Sequence, residues 1–258
     1  MARSDRHEKL IKILEATAAA SVSDLSNKLN VSTMTIRRDL DKLNEQGVLK
    51  KIHGGAVFLK NDTDESDVLQ PSFQKRIDEF GYYKNMIGRE AIKYINNGDV
   101  VFFDAGTTTL AMIPHIPPDI EFTAITPAMI TAVSLCNNKN VNVITVGGNI
   151  HHSSYSSVNY MAIEMINKFN ADTAFISTKA FISPIGTFEA ALPLLEVKRA
   201  IVQNSTKTIL LADHSKFGEK SLCEAISISD IDMIITDNMV SSEILSELRE
   251  YTNVVIAK

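Results

Sequence analysis

The sequence predicts an α/β protein in two parts: a small three-helix head closed by a β-hairpin, followed by a larger, mostly parallel α/β domain. Three observations lead there. Apolar residues recur at helical spacing three times within the first 45 residues, and two short β-compatible runs follow around a glycine turn. A polar, acidic stretch without periodicity then occupies residues 61–67 and is closed by Pro71. Beyond it, helical patterns alternate with seven short apolar runs, at residues 100–104, 122–126, 141–146, 173–177, 208–213, 233–237 and 254–257. Such alternation is the mark of a parallel sheet covered by helices. The expected division is residues 1–60 for the head, 61–72 for a tether and 73–258 for the larger domain.

At 258 residues, with 45% hydrophobic and 22% charged residues, the chain can bury a sizeable core. Arg3, Ser4, Asp5 and Arg6 stand where a secretory signal needs an apolar run, and no later stretch has the length of a membrane span. A cytoplasmic protein is therefore expected. Cys136 and Cys223 are far apart and lack metal-type spacing, so neither a disulfide framework nor a zinc site is expected. The net charge of -5 is unevenly placed: residues 1–60 carry eleven Lys and Arg against seven Asp and Glu, and the remainder carries fifteen against twenty-four. A basic head on an acidic body suits a protein whose head touches nucleic-acid phosphates.

Within the head, Leu10, Ile11, Ile13 and Leu14 mark a first amphipathic helix. Leu25 and Leu29 mark a second, with Ser21 and Ser23 as alternative N-caps. Ser32 can cap a third, in which Ile36, Leu40 and Leu43 form the buried stripe and Gly47 supplies a stop. That stripe turns Met34 and Arg38 outward and leaves Thr33, Thr35 and Arg37 on the flanks. Arg can bridge guanine O6 and N7 and Thr can offer a hydroxyl or a methyl, so this is a candidate helix for the major groove of double-stranded DNA. By itself an Arg-Arg pair is more often a solvated basic face. Residues 48–52 and 56–59, joined through His53-Gly54-Gly55, read as a wing whose Lys50, Lys51 and His53 can hold the phosphate backbone, with Gly54 and Gly55 as turn formers.

Arg6, Leu10 and Leu14, then Val31-Ser32 leading into Thr35-Ile36-Arg37-Arg38-Asp39-Leu40, and finally Lys51-Ile52-His53-Gly54-Gly55-Ala56 resemble the winged helix-turn-helix of DeoR-type transcription regulators. The resemblance implies operator binding through the helix beginning near Ser32, with Thr33, Thr35, Arg37 and Arg38 at the DNA. Asp39 would repel a phosphate, so it reads as structural, orienting Arg37, Arg38 or a wing Lys.

In the larger domain, the best ligand candidate is Asp104-Ala105-Gly106-Thr107-Thr108-Thr109, which joins one apolar run to a helix expected to reach Pro114. Gly106 allows close backbone approach, and the first helical N–H groups with three Thr hydroxyls suit an anion. Thr126 and Gly147-Gly148 end two further runs, so three strand ends can converge on one phosphorylated polyol. From about residue 73 to 257 the chain resembles the sensor domain of the same family, related in fold to ribose-5-phosphate isomerase. The resemblance rests on Gly98-Asp99, Asp104 with Gly106-Thr107-Thr108-Thr109, Gly147-Gly148, Asp172 with Phe175, Glu196 with Lys198-Arg199, and the run from Leu211 through Asp213, His214 and Lys216 to Gly218. It implies phosphate binding at Gly106 to Thr109 with support from Thr126, Gly147 and Gly148, and charge pairing from Lys198 and Lys216.

The resemblance further implies a repressor of a carbohydrate-utilisation operon, controlled by a phosphorylated sugar-like effector and working as a homo-oligomer, a dimer or a tetramer, with neither cofactor nor metal. Two departures bear on the effector. Thr126-Pro127 stands where the family commonly has Thr-Asn, and residues 177–181, which include Lys179, lack the acidic cluster with which sugar-phosphate isomerases move a proton. An isomerase carrying a DNA-binding head is the alternative. His151-His152 tempts a metal reading, but adjacent side chains on an extended segment face opposite ways, so residues 151–157 read as a loop lining or lidding the pocket.

Overall fold

Each head helix buries the apolar stripe that its spacing forecast. α1 (Arg3–Thr17) contributes Leu10 and Leu14, α2 (Val22–Leu29) contributes Val22 and Leu25, and α3 (Thr33–Glu45) contributes Ile36, Leu40 and Leu43 to one cluster. Between α1 and α2 lies a short strand, β1 (Ala19–Ser21), and the wing follows as β2 (Leu49–Ile52) and β3 (Gly55–Phe58). Ser21 rather than Ser23 caps α2, its hydroxyl accepting the Asp24 amide at 3.1 Å. Asn30, left-handed at φ 52, ends that helix. The computed structural model describes residues 3–17, 19–45, 49–52, 55–58 and 73–258. Gly47, His53, Gly54 and the predicted tether at 61–72 lie outside them.

β1 was not foreseen, because Ala-Ala-Ser carries no strand signal. It pairs antiparallel with β3, which pairs with β2, giving a three-stranded sheet in the order β1-β3-β2. This corrects the reading of Gly55 as a turn former. Gly55 sits in β3, opposite both Ser21 and Ile52, and a Cβ there would lie 2.4 Å from the Ala20 carbonyl oxygen. Close strand approach demands the glycine.

The larger unit, within residues 69–258, opens with α4 (Phe73–Asp78) and α5 (Gly81–Ala91). All seven predicted runs are strands: β4 (Val100–Phe103), β5 (Phe122–Thr126), β6 (Val141–Thr145), β9 (Ala171–Ser177), β12 (Ser205–Leu211), β14 (Met233–Thr236) and β15 (Asn253–Ile256). They form one parallel sheet ordered β15-β14-β12-β9-β4-β5-β6. Alternation divides their side chains: Phe102, Ile125, Ile176 and Leu210 pack on one face, and Val101, Phe103, Phe175 and Ile209 on the other. The first face is covered by α8 (Asn159–Ile166), α9 (Leu192–Gln203) and α10 (Ser242–Leu248). The second is covered by α5 and α7 (Met129–Leu135). A hairpin, β7 (Asn149–His151) with β8 (Ser156–Val158), and a small antiparallel sheet of β10 (Ala180–Ile182), β11 (Gly186–Glu189) and β13 (Cys223–Ser227) complete the unit. No helix of the described residues is long and apolar enough to cross a membrane.

The helix expected to run from Thr107 to Pro114 is a single turn, α6 (Thr107–Leu110), followed by a 3-10 turn at Ile113–His115. The dipole expected to attract an anion there is correspondingly small. Strand order decides more. The chain fills β4, β5 and β6 in one direction, then crosses back to place β9 on the other side of β4. The order therefore reverses between β4 and β9, where neighbouring loops diverge and open a crevice at the strands' carboxyl ends.

Candidate functional site

On the head, α3 presents Ser32, Thr33, Met34, Arg37 and Arg38 to solvent over its buried stripe. The Ser32 hydroxyl accepts the Thr35 amide at 3.2 Å and lies 2.9 Å from the Thr35 hydroxyl, so both hydroxyls first serve the helix cap. Thr33, Arg37 and Arg38 carry the exposed chemistry. Asp39 is structural, but its partners are on α1: Arg6 Nε at 2.6 Å, Arg6 Nη2 at 3.2 Å and His7 Nε2 at 3.0 Å. Burial pushes the Asp39 carboxyl up, and the Arg6 and His7 contacts override this, holding it below the usual carboxylate range. In the wing, Lys50 lies in β2 opposite Val57, and the Lys51 ammonium rests on Asp41. An exposed pair of that kind is weak enough to yield to a phosphate.

In the larger unit, the crevice between β4 and β9 is a pocket lined by Asp104, Gly106, Thr107 and Thr108 after β4, and by Ser177, Thr178 and Lys179 after β9. Arg76 of α4, Glu79 in the turn after it and Lys84 of α5 close one wall; Glu189 of β11, Lys198 of α9 and Lys216 close another. Its buried floor is an ion triad. The Lys198 ammonium lies 2.8 Å from Asp104 and 2.8 Å from Glu189 and also donates to the Ser177 carbonyl. Asp104 further accepts the Ser177 amide at 3.0 Å and hydroxyl at 3.1 Å. Burial alone would lower Lys198 and raise Asp104, but their mutual charge wins: Lys198 is raised and Asp104 is held low. Neither group is set to trade protons near neutral pH.

Around this floor stand Arg76, Lys84, Lys179 and Lys216. Lys84, only 4% exposed, donates to the backbone carbonyls of Arg76 and of Glu79, the latter at 2.7 Å. Burial drives its pKa down to about 8, with Lys216 and Arg76 adding repulsion that Asp213 and Glu79 oppose. Lys179 is lowered too, by burial and then by Lys216 and Arg76. Mutual repulsion of cations around a polar cavity is what an anionic ligand would relieve.

Several expected effector residues are placed otherwise. Gly106 lines the pocket, but a Cβ on it would lie 1.9 Å from the Ser177 hydroxyl, so the absence of a side chain there makes room for Ser177. The Thr109 hydroxyl folds back onto the carbonyls of Asp104 and Gly106, each at 2.8 Å. Thr126 is fully buried and bonds the Phe103 carbonyl at 2.8 Å. Gly147 and Gly148 follow β6, two strands from β4 on the side away from β9; Gly148 instead lets Val158 and Ala162 approach. Thus Thr107, Thr108, Asp104, Lys198 and Lys216 meet at the pocket, while Thr109, Thr126, Gly147 and Gly148 are held by the fold around it.

The carboxylates missing from residues 177–181 are supplied from afar, by Asp104 and Glu189. Sequence reasoning also missed Arg76, Glu79 and Lys84. For Lys84 a signal existed, since it shares the buried helical stripe of Ile87 and Ala91. Residues 151–155 do not line the pocket but buttress it: the Ser153 carbonyl accepts Arg76, and Tyr155 packs edge-on against Phe73 at 5.6 Å.

With both sites described, comparison with known proteins assigns the chain. The DeoR-like helix-turn-helix domain matches residues 6–62, and the DeoR C terminal sensor domain matches residues 81–238. The chain belongs to the DeoR family of transcriptional regulators. The HTH-type transcriptional regulator GolR of Listeria innocua is 31% identical over 95% of both chains. The glycerol-3-phosphate regulon repressor of Haemophilus influenzae is 30% identical over 97% of this chain and 95% of that one. Among solved structures, ribose 5-phosphate isomerase A of Methanocaldococcus jannaschii aligns with 52% of this chain and 53% of its own at 14% identity and a TM-score of 0.39.

Proposed function

We propose that this DeoR-family regulator is a cytoplasmic repressor of a carbohydrate-utilisation operon that is released or engaged by a phosphorylated sugar-like effector. One observation carries the effector assignment: Arg76, Lys84, Lys179 and Lys216 converge with Thr107 and Thr108 on a single pocket whose buried acids, Asp104 and Glu189, are already committed to Lys198, leaving Glu79 as the one further carboxylate among the described lining residues. A phosphate dianion satisfies the surplus of cations, and the sugar hydroxyls find Thr107, Thr108 and the carboxylates as partners. The glycerol-3-phosphate regulon repressor among the relatives supports an effector of this class.

In the head, α3 enters the major groove of operator DNA with Thr33, Arg37 and Arg38 foremost and Ser32 and Thr35 at its N-terminus, while Lys50, Lys51 and His53 hold the backbone. Two heads in a dimer or tetramer read paired half-sites. The isomerase alternative is disfavoured because Asp104 is held as a carboxylate by Lys198, leaving it without the raised pKa of a neutral-pH general base. A thermal-shift screen over phosphorylated sugars, sugar acids and polyols tests the reading. Stabilisation is expected from phosphorylated members alone; a ligand without an anionic group that stabilised equally would overturn it.

A further inference from the structure

We infer that α4 is the element that reads effector occupancy, because it is clamped by the same cations that would grip the effector's phosphate. The inference rests on the pocket being an anion site. Residues 59–72 lead from the head directly into α4, so this helix is where the chain enters the sensor. It is only six residues long, Phe73–Asp78, too short to hold itself in water. Its stability must come from what it touches.

Those contacts converge on the pocket. Lys84 donates to the carbonyls of Arg76, in the last turn of α4, and of Glu79, just beyond it, and so caps the helix's C-terminal end. Arg76 lines the pocket, donates to the Ser153 carbonyl, and stands 5.3 Å from the centre of the Phe73 ring. Phe73 in turn packs edge-on against Tyr155. The first residue of α4 is thereby fixed to the β7–β8 loop, and Arg76 and the turn after the helix to Lys84.

Both cations face the cavity and each other, with Lys216 adding to the repulsion. Without an anion the clamp works against its own charge. With a phosphate between Arg76 and Lys84, that repulsion becomes attraction and the ammonium is held charged against the α4 carbonyls. Occupancy therefore tightens α4, and the tether joins the sensor at an ordered rather than a fraying turn. Arg76 and Lys84 are in this sense both ligands and positioning residues.

Hydrogen exchange of the full-length protein, with and without saturating inorganic phosphate, tests this. The amides of residues 77–79, which include the Glu79 amide bonded to the Lys75 carbonyl, are expected to slow by about tenfold on phosphate addition, the change equivalent to one charged hydrogen bond. Arg76→Gln is expected to weaken phosphate binding by about tenfold or more and to abolish the slowing, with Arg76→Lys intermediate. Should Arg76→Gln fail to fold, the wild-type exchange and Arg76→Lys decide. Phosphate binding with unchanged exchange at residues 77–79, or undiminished binding by Arg76→Gln, would overturn the inference while leaving the anion site standing. If the wild type binds neither phosphate nor any phosphorylated sugar, the effector reading falls and takes the inference with it.

Discussion

Arg38 and Asp39 are neighbours on α3 with opposite fates, one exposed and one 2% exposed, and each supports a separate prediction. Arg38→Ala is expected to cost about 1–3 kcal/mol of operator affinity per head without altering phosphate-induced stabilisation, as gel shift and thermal melts on one preparation would show. Loss of both would contradict two separable sites. Asp39→Ala strands Arg6 and His7, which are 13% and 19% exposed, so the usual cost of breaking a buried pair is discounted to about 2 kcal/mol. Denaturant melts of the head transition should fall by that amount, and an unchanged midpoint would count against the Asp39 clasp. Because the Asp39 carboxyl is lowered in the fold, its contribution is complete above its unfolded pKa and disappears as pH falls through the folded one.

Lys84 runs the other way. Its folded pKa of about 8 lies below its ordinary 10.5, so between those values the unfolded chain holds more protons and the stability of the unliganded sensor rises with pH. An anion beside the ammonium raises that pKa. Binding then takes up proton near pH 8, and phosphate affinity falls as pH climbs past it, against a background of Arg76, Lys216, Glu79 and Asp213 around the group. Calorimetric titration at about pH 7.5 and about pH 9, where phosphate is already largely dianionic, should reveal this, with Lys84→Met insensitive. Equal pH profiles for the two proteins would show that another group titrates.

Among the elements, the β4–β9 junction is closely packed, with Ser177 against the side-chain position of Gly106. Gly106→Ala drives a methyl into Ser177 and is expected to destabilise the sensor by about 1–3 kcal/mol, with Ser177→Gly in the same chain recovering part of it. A fully tolerated Gly106→Ala would mean that the junction is looser than its geometry. The seven sheet strands were legible because each is a compact apolar run with small or polar residues after it, and the inner ones are largely buried on both faces. β1 was not legible, since three small residues become a strand only through β3 beside them. The β10-β11-β13 sheet escaped notice for a related reason: its strands are short and its third member comes from a distant stretch of chain. Asp39 was rightly read as structural and given the wrong partners, because the order of residues along α3 says nothing about which face of α1 lies opposite.

For the whole molecule, two units each with its own core predict two unfolding transitions. Phosphate at a hundredfold excess over Kd should stabilise the sensor transition by about 2.7 kcal/mol and leave the head transition in place. Differential scanning calorimetry of the full chain reads both, and a single peak that moves as a whole would show the two cores melting together. The sequence alone settled the kinds of element, the basic head and acidic body, and the family, since these follow from local periodicity, composition and short motifs. Where the pocket lies was decided only by tertiary structure. Strand order is a choice among distant pairings that no local pattern records, and by seating β9 rather than β5 against the pocket side of β4 it drew Lys179, Lys198, Glu189 and the α4–α5 cations to one crevice and left Thr126 and Gly147-Gly148 outside it.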